Sequence, residues 1–453
     1  MNSESIFSRG NATIAYLVMV LILGGASAAG LAANTLLQLT GAGLIAWTLW
    51  QRADGTSPAS GFRRFAAAFA VLAAVQFLPL PPALWGLLPG REPILEGYAL
   101  LQVPPPWLTL SLSPWKSLAA LTWWIPALAI FMALQRDDAP SDSTVALTIG
   151  LVAALSAALG MLQRSAGAGY IYTITNYGEG TGFFANSNHL GSFLLVALAL
   201  IGGLAAFRRK EVLRRGKPIA GRYFEPAIGA ILVAGVLVSE SLACLALLPL
   251  VCIGIWVILR PDLRLPLRLL LLMALLIVIV LASFVFLGPI ANDLTAASAT
   301  PGISRREFLI AGLAMLRDFV PFGSGLGTFQ ELYRGYENIA IIGPTYVNHA
   351  HNDLLELLIE TGIFGLAALA AFLVWFLPRT WRMWRDNRNS PMVLAASIVI
   401  CVLFLHSLVD YPLRTAAMST LLALACAWLV RGPRAALAVG REKQEPEHRQ
   451  IRL

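Results

Sequence analysis

Apolar runs of about twenty residues recur along this chain, and they limit its fold more than any other feature. They lie near 12–33, 34–50, 63–80, 116–134, 144–163, 188–207, 225–239, 241–259, 268–288, 358–378, 393–410 and 413–430. At 1.5 Å of rise per residue, a helix of roughly 20 residues crosses the ~30 Å hydrocarbon core of a bilayer. Only 13% of the 453 residues are charged and 57% are hydrophobic, with a mean hydropathy of +0.71. A soluble chain would carry about 25% charged residues. The expected fold is therefore an all-α polytopic integral membrane protein of about twelve transmembrane helices. Asn34 marks the expected turn between the first two spans. Ser239-Glu240-Ser241 is the one polar break in the run from 226 to 259 and reads as a turn between two spans. A single long tilted helix is the alternative, and it would invert everything downstream.

Charge orients the spans. With both termini inside, RRKEVLRRGKPIAGR (208–222) and RTWRMWRDNR (379–388) fall on one side, and no segment on the other approaches their density of Lys and Arg. Positive charge marks the cytoplasmic side. The formal net charge of +8 is thus topological, with some contact to anionic membrane lipids, and nucleic acid is not an expected partner. The four cysteines (Cys244, Cys252, Cys401, Cys426) sit in apolar runs without CxxC pairing, so neither disulfides nor metal ligands are expected. No cleavable signal peptide is evident, and the first apolar run reads as a signal anchor.

Two outer connections are long. The first, 81–115, is rich in proline and tryptophan and reads as a loop anchored by aromatic residues in the membrane interface, or a plain spacer. The second, 289–357, is large enough for a small subdomain. RREFLIAGLAML (305–316) has helical periodicity, and PFGSGLGTFQELYRGYE reads as a Gly-rich turn leading into a second helix. Such a turn could offer backbone N–H groups to a phosphate. The expected division is 1–180 and 181–288 as transmembrane regions, 289–357 as the outer subdomain, 358–430 as the last spans, and 431–453 as a cytoplasmic tail.

The chemistry concentrates in YVNHAHNDLLELLIETGIFG (346–365), where two of the five histidines and three carboxylates stand at the mouth of an apolar span. Titratable groups at a membrane boundary are costly and point to function. If the segment is helical from about His349, then His349, Asp353, Glu356 and Glu360 share one stripe, and His351 points the other way, among Leu354, Leu355 and Leu358. The stripe would favour the protonated form of His349. His and Asp are good zinc ligands, but residues two apart on a helix diverge and no cysteine assists, so no metal is expected.

HAHNDLLELLIETGIFG resembles the signature of the O-antigen ligase and O-antigen polymerase superfamily of bacterial envelope enzymes. Three further blocks resemble it in the same order. They are TGFFANSNHLGSFL (181–194), SRREFLIAGLAMLRDFVPFGSGLGTF (304–329) and LFLHSLVDYPLRTAA (403–417). Ser187 stands where relatives often have arginine or proline, and Leu309 where they have tryptophan. The resemblance implies a fold like that of GT-C-type glycosyltransferases, with one large periplasmic loop.

It further implies an enzyme of the bacterial inner membrane, with its site facing the periplasm, acting as an inverting, metal-independent glycosyltransferase without a cofactor. The donor would be an undecaprenyl-diphosphate-linked glycan, and the acceptor another glycan or a lipid A core. A flippase and a chain-length regulator would be partners. Among the catalytic residues, His351 would be the general base, Arg305 would hold the diphosphate, and Glu356 or Asp353 would orient the histidine or bind sugar. Substrate contacts would fall to His349, Asn352, Asp353, Asn186, Asn188, His189, Arg306 and Arg414. Asp410 and Arg414 read as a pair pinning the last two helices. Polymerisation of a surface polysaccharide (O-antigen or exopolysaccharide) is the favoured outcome, ligation to lipid A core the alternative. A transporter or flippase is the alternative of another class, with neither inverted repeat nor many mid-span charges to support it.

Overall fold

The computed structural model describes residues 8–28, 30–50, 70–71, 73–216, 223–260, 305–337, 339, 347–386 and 390–432. The apolar runs fold as α1 (Arg9–Leu23), α2 (Ala32–Trp50), α5 (Pro114–Thr122) with α6 (Ile125–Leu134), α7 (Asp142–Ala166), α8 (Ser187–Arg215), α9 (Phe224–Val238), α10 (Leu242–Leu259), α13 (Asp353–Asp386), α14 (Pro391–His406) and α15 (Ala416–Arg431). The first outer connection holds the two-residue strands β1 (Pro79–Leu80) and β2 (Leu108–Thr109), paired antiparallel, with α3 (Pro82–Trp85) and α4 (Glu92–Leu100) between them. The second outer segment contributes α11 (Arg305–Phe319) and α12 (Phe329–Tyr333).

Among the described residues, five helical stretches are long and apolar enough to cross a membrane: Pro114–Leu134, Asp142–Ala166, Ser187–Arg214, Leu242–Leu259 and Asp353–Asp386. The protein is accordingly a mostly helical, multi-pass membrane protein. The span expected at 63–80 lies largely outside the described residues, and those at 268–288 and the tail from 433 lie wholly outside them.

Several helix starts follow a polar residue just before the apolar run. Ser141, Asn186, Ser241 and Thr415 each accept a hydrogen bond from a first-turn backbone N–H, satisfying a donor that a helix start otherwise leaves unpaired. The expected break at Ser239–Ser241 separates α9 from α10, with Glu240 at φ 54°. Asn34 is not at the first turn. It lies inside α2 and donates to Ala28 O, and the connection runs between Leu23 and Ala32. The run at 116–134 is interrupted between α5 and α6 because Pro126 has no N–H to continue the ladder.

The central column is α8, with Leu190, Phe193 to Ile201 and Leu204 buried. Helices α7, α9, α10 and α14 pack around it. Close approach is set by small residues: a Cβ added at Gly203 would lie 2.7 Å from that of Ala395 on α14.

One end of the bundle is basic. Arg431 pairs with Asp142 at 2.5 Å and donates to Leu134 O, Arg136 donates to Thr48 O, and Arg9 pairs with Asp138 at 2.7 Å. Arg208 pairs with Glu225, and Arg209 donates to Leu259 O. The chemistry-bearing segments lie at the other end, where α8, α13 and α15 begin and α14 finishes.

Helix α13 breaks within its own length. Gly362 has φ 56° and ψ −135°, the N–H of Ile363 donates to Pro321 O at 2.8 Å, and a Cβ at 362 would lie 2.0 Å from Pro321 O. Only glycine fits there. The piece before the break, 353–361, carries the three carboxylates.

Candidate active site

Helix α13 begins at Asp353, not at His349, and the residues before it form a turn with His351 at φ 50°. The helix expected from His349 therefore starts four residues later, but the expected grouping holds: Asp353, Glu356 and Glu360 face Arg414 together, and His349 reaches Glu356 from the turn. Asn352 explains the late start: its side-chain oxygen accepts from the N–H groups of Leu354 and Leu355, and its amide donates to Leu408 O. It caps the helix and ties it to the α14–α15 connection.

The turn sends its two histidines to different carboxylates. His349 Nδ1 lies 2.9 Å from Glu356 Oε1, while Ala350 N donates to Glu356 Oε2 at 2.8 Å. His351, expected among leucines, instead stacks on Phe308 of α11 at 4.6 Å between ring centroids and turns Nδ1 toward Asp410, 3.5 Å from Oδ1. Glu356 thus orients His349, and Asp410 is the carboxylate beside His351. Nδ1 of His351 is buried although the side chain is 26% exposed, so the exposed part of the ring lies away from Asp410.

Asp410 gathers groups from three segments. Asn188 donates to Oδ2 at 2.7 Å, the N–H of Tyr411 donates to Oδ1 at 2.8 Å, and His189 Nε2 lies 3.8 Å from Oδ1. Burial alone would raise its pKa, but the flanking His189 and His351 hold the carboxyl well below the ordinary carboxylate range. Asn186 serves as the α8 cap.

Tyr411 sits inside a ring of imidazoles, with centroids 4.9 Å from His189, 4.6 Å from His349 and 4.8 Å from His351. Burial raises the phenol's pKa, so it stays neutral. His349 is pushed the other way from the sequence expectation. Burial lowers its pKa and outweighs the opposing pull of Glu356, so the ring is held neutral.

Arg414 does not carry out the expected pairing with Asp410. It reaches across to α13, with Nη1 3.1 Å from Glu360 Oε2 and 3.4 Å from Glu356 Oε1, and Nε 3.5 Å from Asp353 Oδ1. Asp353 also braces the turn after α14, accepting from Ser407 Oγ at 2.7 Å and from Leu413 N at 3.0 Å. A short 3-10 turn over Pro412–Arg414 separates the Asp410 and Arg414 side chains and aims them at different partners.

The Gly-rich turn is likewise occupied by its own fold. Gly323 N donates to Phe319 O, Ser324 N to Ile359 O, Gly325 N to Glu360 O, Leu326 N to Gln76 Oε1 and Phe329 N to Glu360 Oε1. These groups hold Glu360 in place and are not free for a phosphate. The side chains of Arg305 and Arg306 lie outside the described residues, although the backbone of Arg305 opens α11.

Asp410 and Tyr411 were absent from the expected site residues. The signal was in the sequence, in the DYP run after His406, but one carboxylate beside an arginine four residues on reads first as a local pair. Among the described residues, no group of three or more His, Cys, Asp or Glu side chains is placed to hold a metal ion.

Residues 227–370 match the family model described as O-antigen ligase. None of the curated proteins compared with the chain matches it. The matched stretch runs from α9 through the second outer segment and the histidine turn into α13, so it includes the HAHND block and its carboxylates. That match supports the likeness of the four blocks to the O-antigen ligase and polymerase superfamily.

Proposed function

We propose that the protein moves an undecaprenyl-diphosphate-linked glycan to an acceptor hydroxyl, by single displacement at the outer face of the bacterial inner membrane, on a fold of the GT-C kind. The observation that carries this reading is His351: a partly exposed imidazole backed by the buried carboxylate of Asp410. A carboxylate beside Nδ1 keeps the proton on that nitrogen and leaves Nε2 as the proton acceptor. The acceptor hydroxyl loses its proton to Nε2 as its oxygen bonds the anomeric carbon, and the diphosphate leaves with the bonding electrons.

The diphosphate needs a cation that is not already engaged. Arg414 is shared among three carboxylates, which leaves Arg305 as the proposed diphosphate contact. Arg305 lies one helical turn before Phe308, the residue stacked on His351, and positions three apart share a helix face. Asn188 and His189 would steady Asp410 from the start of α8. Basic charge at the opposite end of the bundle supports the periplasmic orientation.

The test is transfer in membranes supplied with lipid-linked donor. His351→Ala should eliminate it with the folded protein retained, and chelators should leave wild-type transfer untouched. Product analysis assigns the acceptor: longer lipid-linked chains indicate polymerisation, which is the favoured outcome, and glycan on lipid A core indicates ligation. Substantial transfer by folded His351→Ala protein would remove the general-base role.

A further inference from the structure

The first outer connection has a surface unlike that of a water-exposed loop. Between Pro82 and Trp107 the only charged residues are Arg91, Glu92 and Glu96, and Arg91 is completely buried. Much of what faces outward is apolar: beside the exposed Glu92, Glu96 and Gln102, the side chains of Leu87, Leu100, Leu101 and Trp107 are exposed, Leu100 by 86% and Trp107 by 66%. Apolar surface of this extent marks a contact with another phase or partner. On α4, Glu92 and Glu96 share one face with Leu100 at its edge, and Ile94 and the capping Leu101 lie on the opposite side, an arrangement compatible with a helix lying flat at an interface.

Apolar surface resumes in a membrane-spanning stretch, past the partly exposed Ser113 and Lys116, the latter paired with Glu331. Trp115, at the start of α5, is 80% exposed, and Leu118, Trp124 and Leu128 along α5 and α6 are exposed as well. Among the described residues, Pro114–Leu134 is one of the five apolar stretches long enough to cross a membrane, and lipid is the cover such exposed apolar side chains would take. Tryptophan gathers where such a surface meets the headgroups.

We infer that residues 82–107 form a monotopic element seated in the leaflet at the histidine-cluster end of the bundle, with the phospholipid surface as its partner. Its inner side is welded to the site. Arg91 donates through Nη2 to Leu110 O at 2.8 Å and to Gly323 O at 3.0 Å, through Nη1 to Pro89 O at 3.1 Å, and lies over the rings of Trp85 and Phe319. Leu112 N donates to Ser324 O, and Ser117 Oγ to Leu326 O. These bonds grip the turn whose N–H groups hold Glu360, and Glu360 holds Arg414. The element therefore sets the height of the carboxylate cluster relative to the lipid surface.

Spin labels test this in full-length protein reconstituted in phosphatidylcholine–phosphatidylglycerol vesicles, with the four native cysteines replaced by alanine. Nitroxides at Leu87→Cys and Leu101→Cys should collide more with dissolved oxygen than with a water-soluble nickel chelate. A label at Glu96→Cys should show the smaller ratio. Preference for the nickel chelate at both leucine positions would place the loop in water and overturn the inference, and exclusion of both reagents would reveal a protein cover and do the same. In the chain with its cysteines intact, benzoylphenylalanine at position 101 should give phospholipid adducts on illumination in cells, and adducts with a protein alone would also overturn it.

Discussion

The carboxylate of Asp410 lies beside Nδ1 of His351, 3.5 Å away, although one residue is in the turn before α13 and the other in the connection after α14. The contact joins a buried anion to the most exposed imidazole of the cluster. Asp410→Asn keeps the size and removes the charge that steadies a protonated His351. Transfer should fall on the order of 100-fold, the lower range for positioned proton transfer, while the amount of folded protein in the membrane stays the same. The check is the initial rate of transfer compared at equal amounts of folded protein in the membrane.

For His349 the sign of the pH effect follows from its burial. Its pKa is lowered in the folded protein, below the unfolded value of about 6.5. Between those two values the unfolded chain binds a proton that the folded one does not, so this contribution to stability is complete above about pH 6.5 and is lost as pH falls. The melting temperature of the detergent-purified protein should decline from about pH 7.5 to about pH 5.5, and His349→Gln should decline less over the same window.

Removing the guanidinium at Arg305 tests the diphosphate contact. Arg305→Ala should lower transfer by about 100-fold or more, in line with the loss of one strong charge-stabilising donor. Arg305→Lys should recover little, because a planar fork becomes a point charge. Arg306→Ala should be milder in the same assay, and a larger effect at 306 would assign the contact there.

Gly362 is the backbone device that aims the carboxylates. Gly362→Ala combines a left-handed backbone with a Cβ 2.0 Å from Pro321 O. A cost of at least about 2 kcal/mol is expected from conformation and crowding together. Thermal unfolding should show the loss, and transfer should fall with it because Glu356 and Glu360 lie just before the break.

Orientation in the membrane has its own measurement. An alkaline phosphatase fusion after Gly325 should be active outside, and fusions after Arg215 or Arg385 should report the cytoplasm. A cytoplasmic signal at Gly325 would place the histidine cluster on the wrong side for a periplasmic donor.

How much of this was legible in the sequence depends on the range of the interaction. Hydrophobic runs report the helices because burial or lipid contact acts on each run separately, so α7, α8, α10 and α13 stand where the apolar pattern puts them. Capping residues acted just as locally, and Ser141, Asn186 and Ser241 mark helix starts by their position alone. The four motif blocks named the segments that carry polar groups. Pairings between those segments were beyond reach. Periodicity continued the α13 helix back to His349, whereas the cap at Asn352 and the left-handed His351 stop it, so the histidines part by turn geometry and not by helical angle. Proximity in sequence matched Asp410 with Arg414, but the tertiary fold brings His351 and Asn188 to the one and three α13 carboxylates to the other. Ion pairs of buried groups are settled by which helix ends meet, and that meeting is a property of the packed bundle, decided by contacts such as Gly203 against Ala395 and Gly362 against Pro321 that no single segment contains.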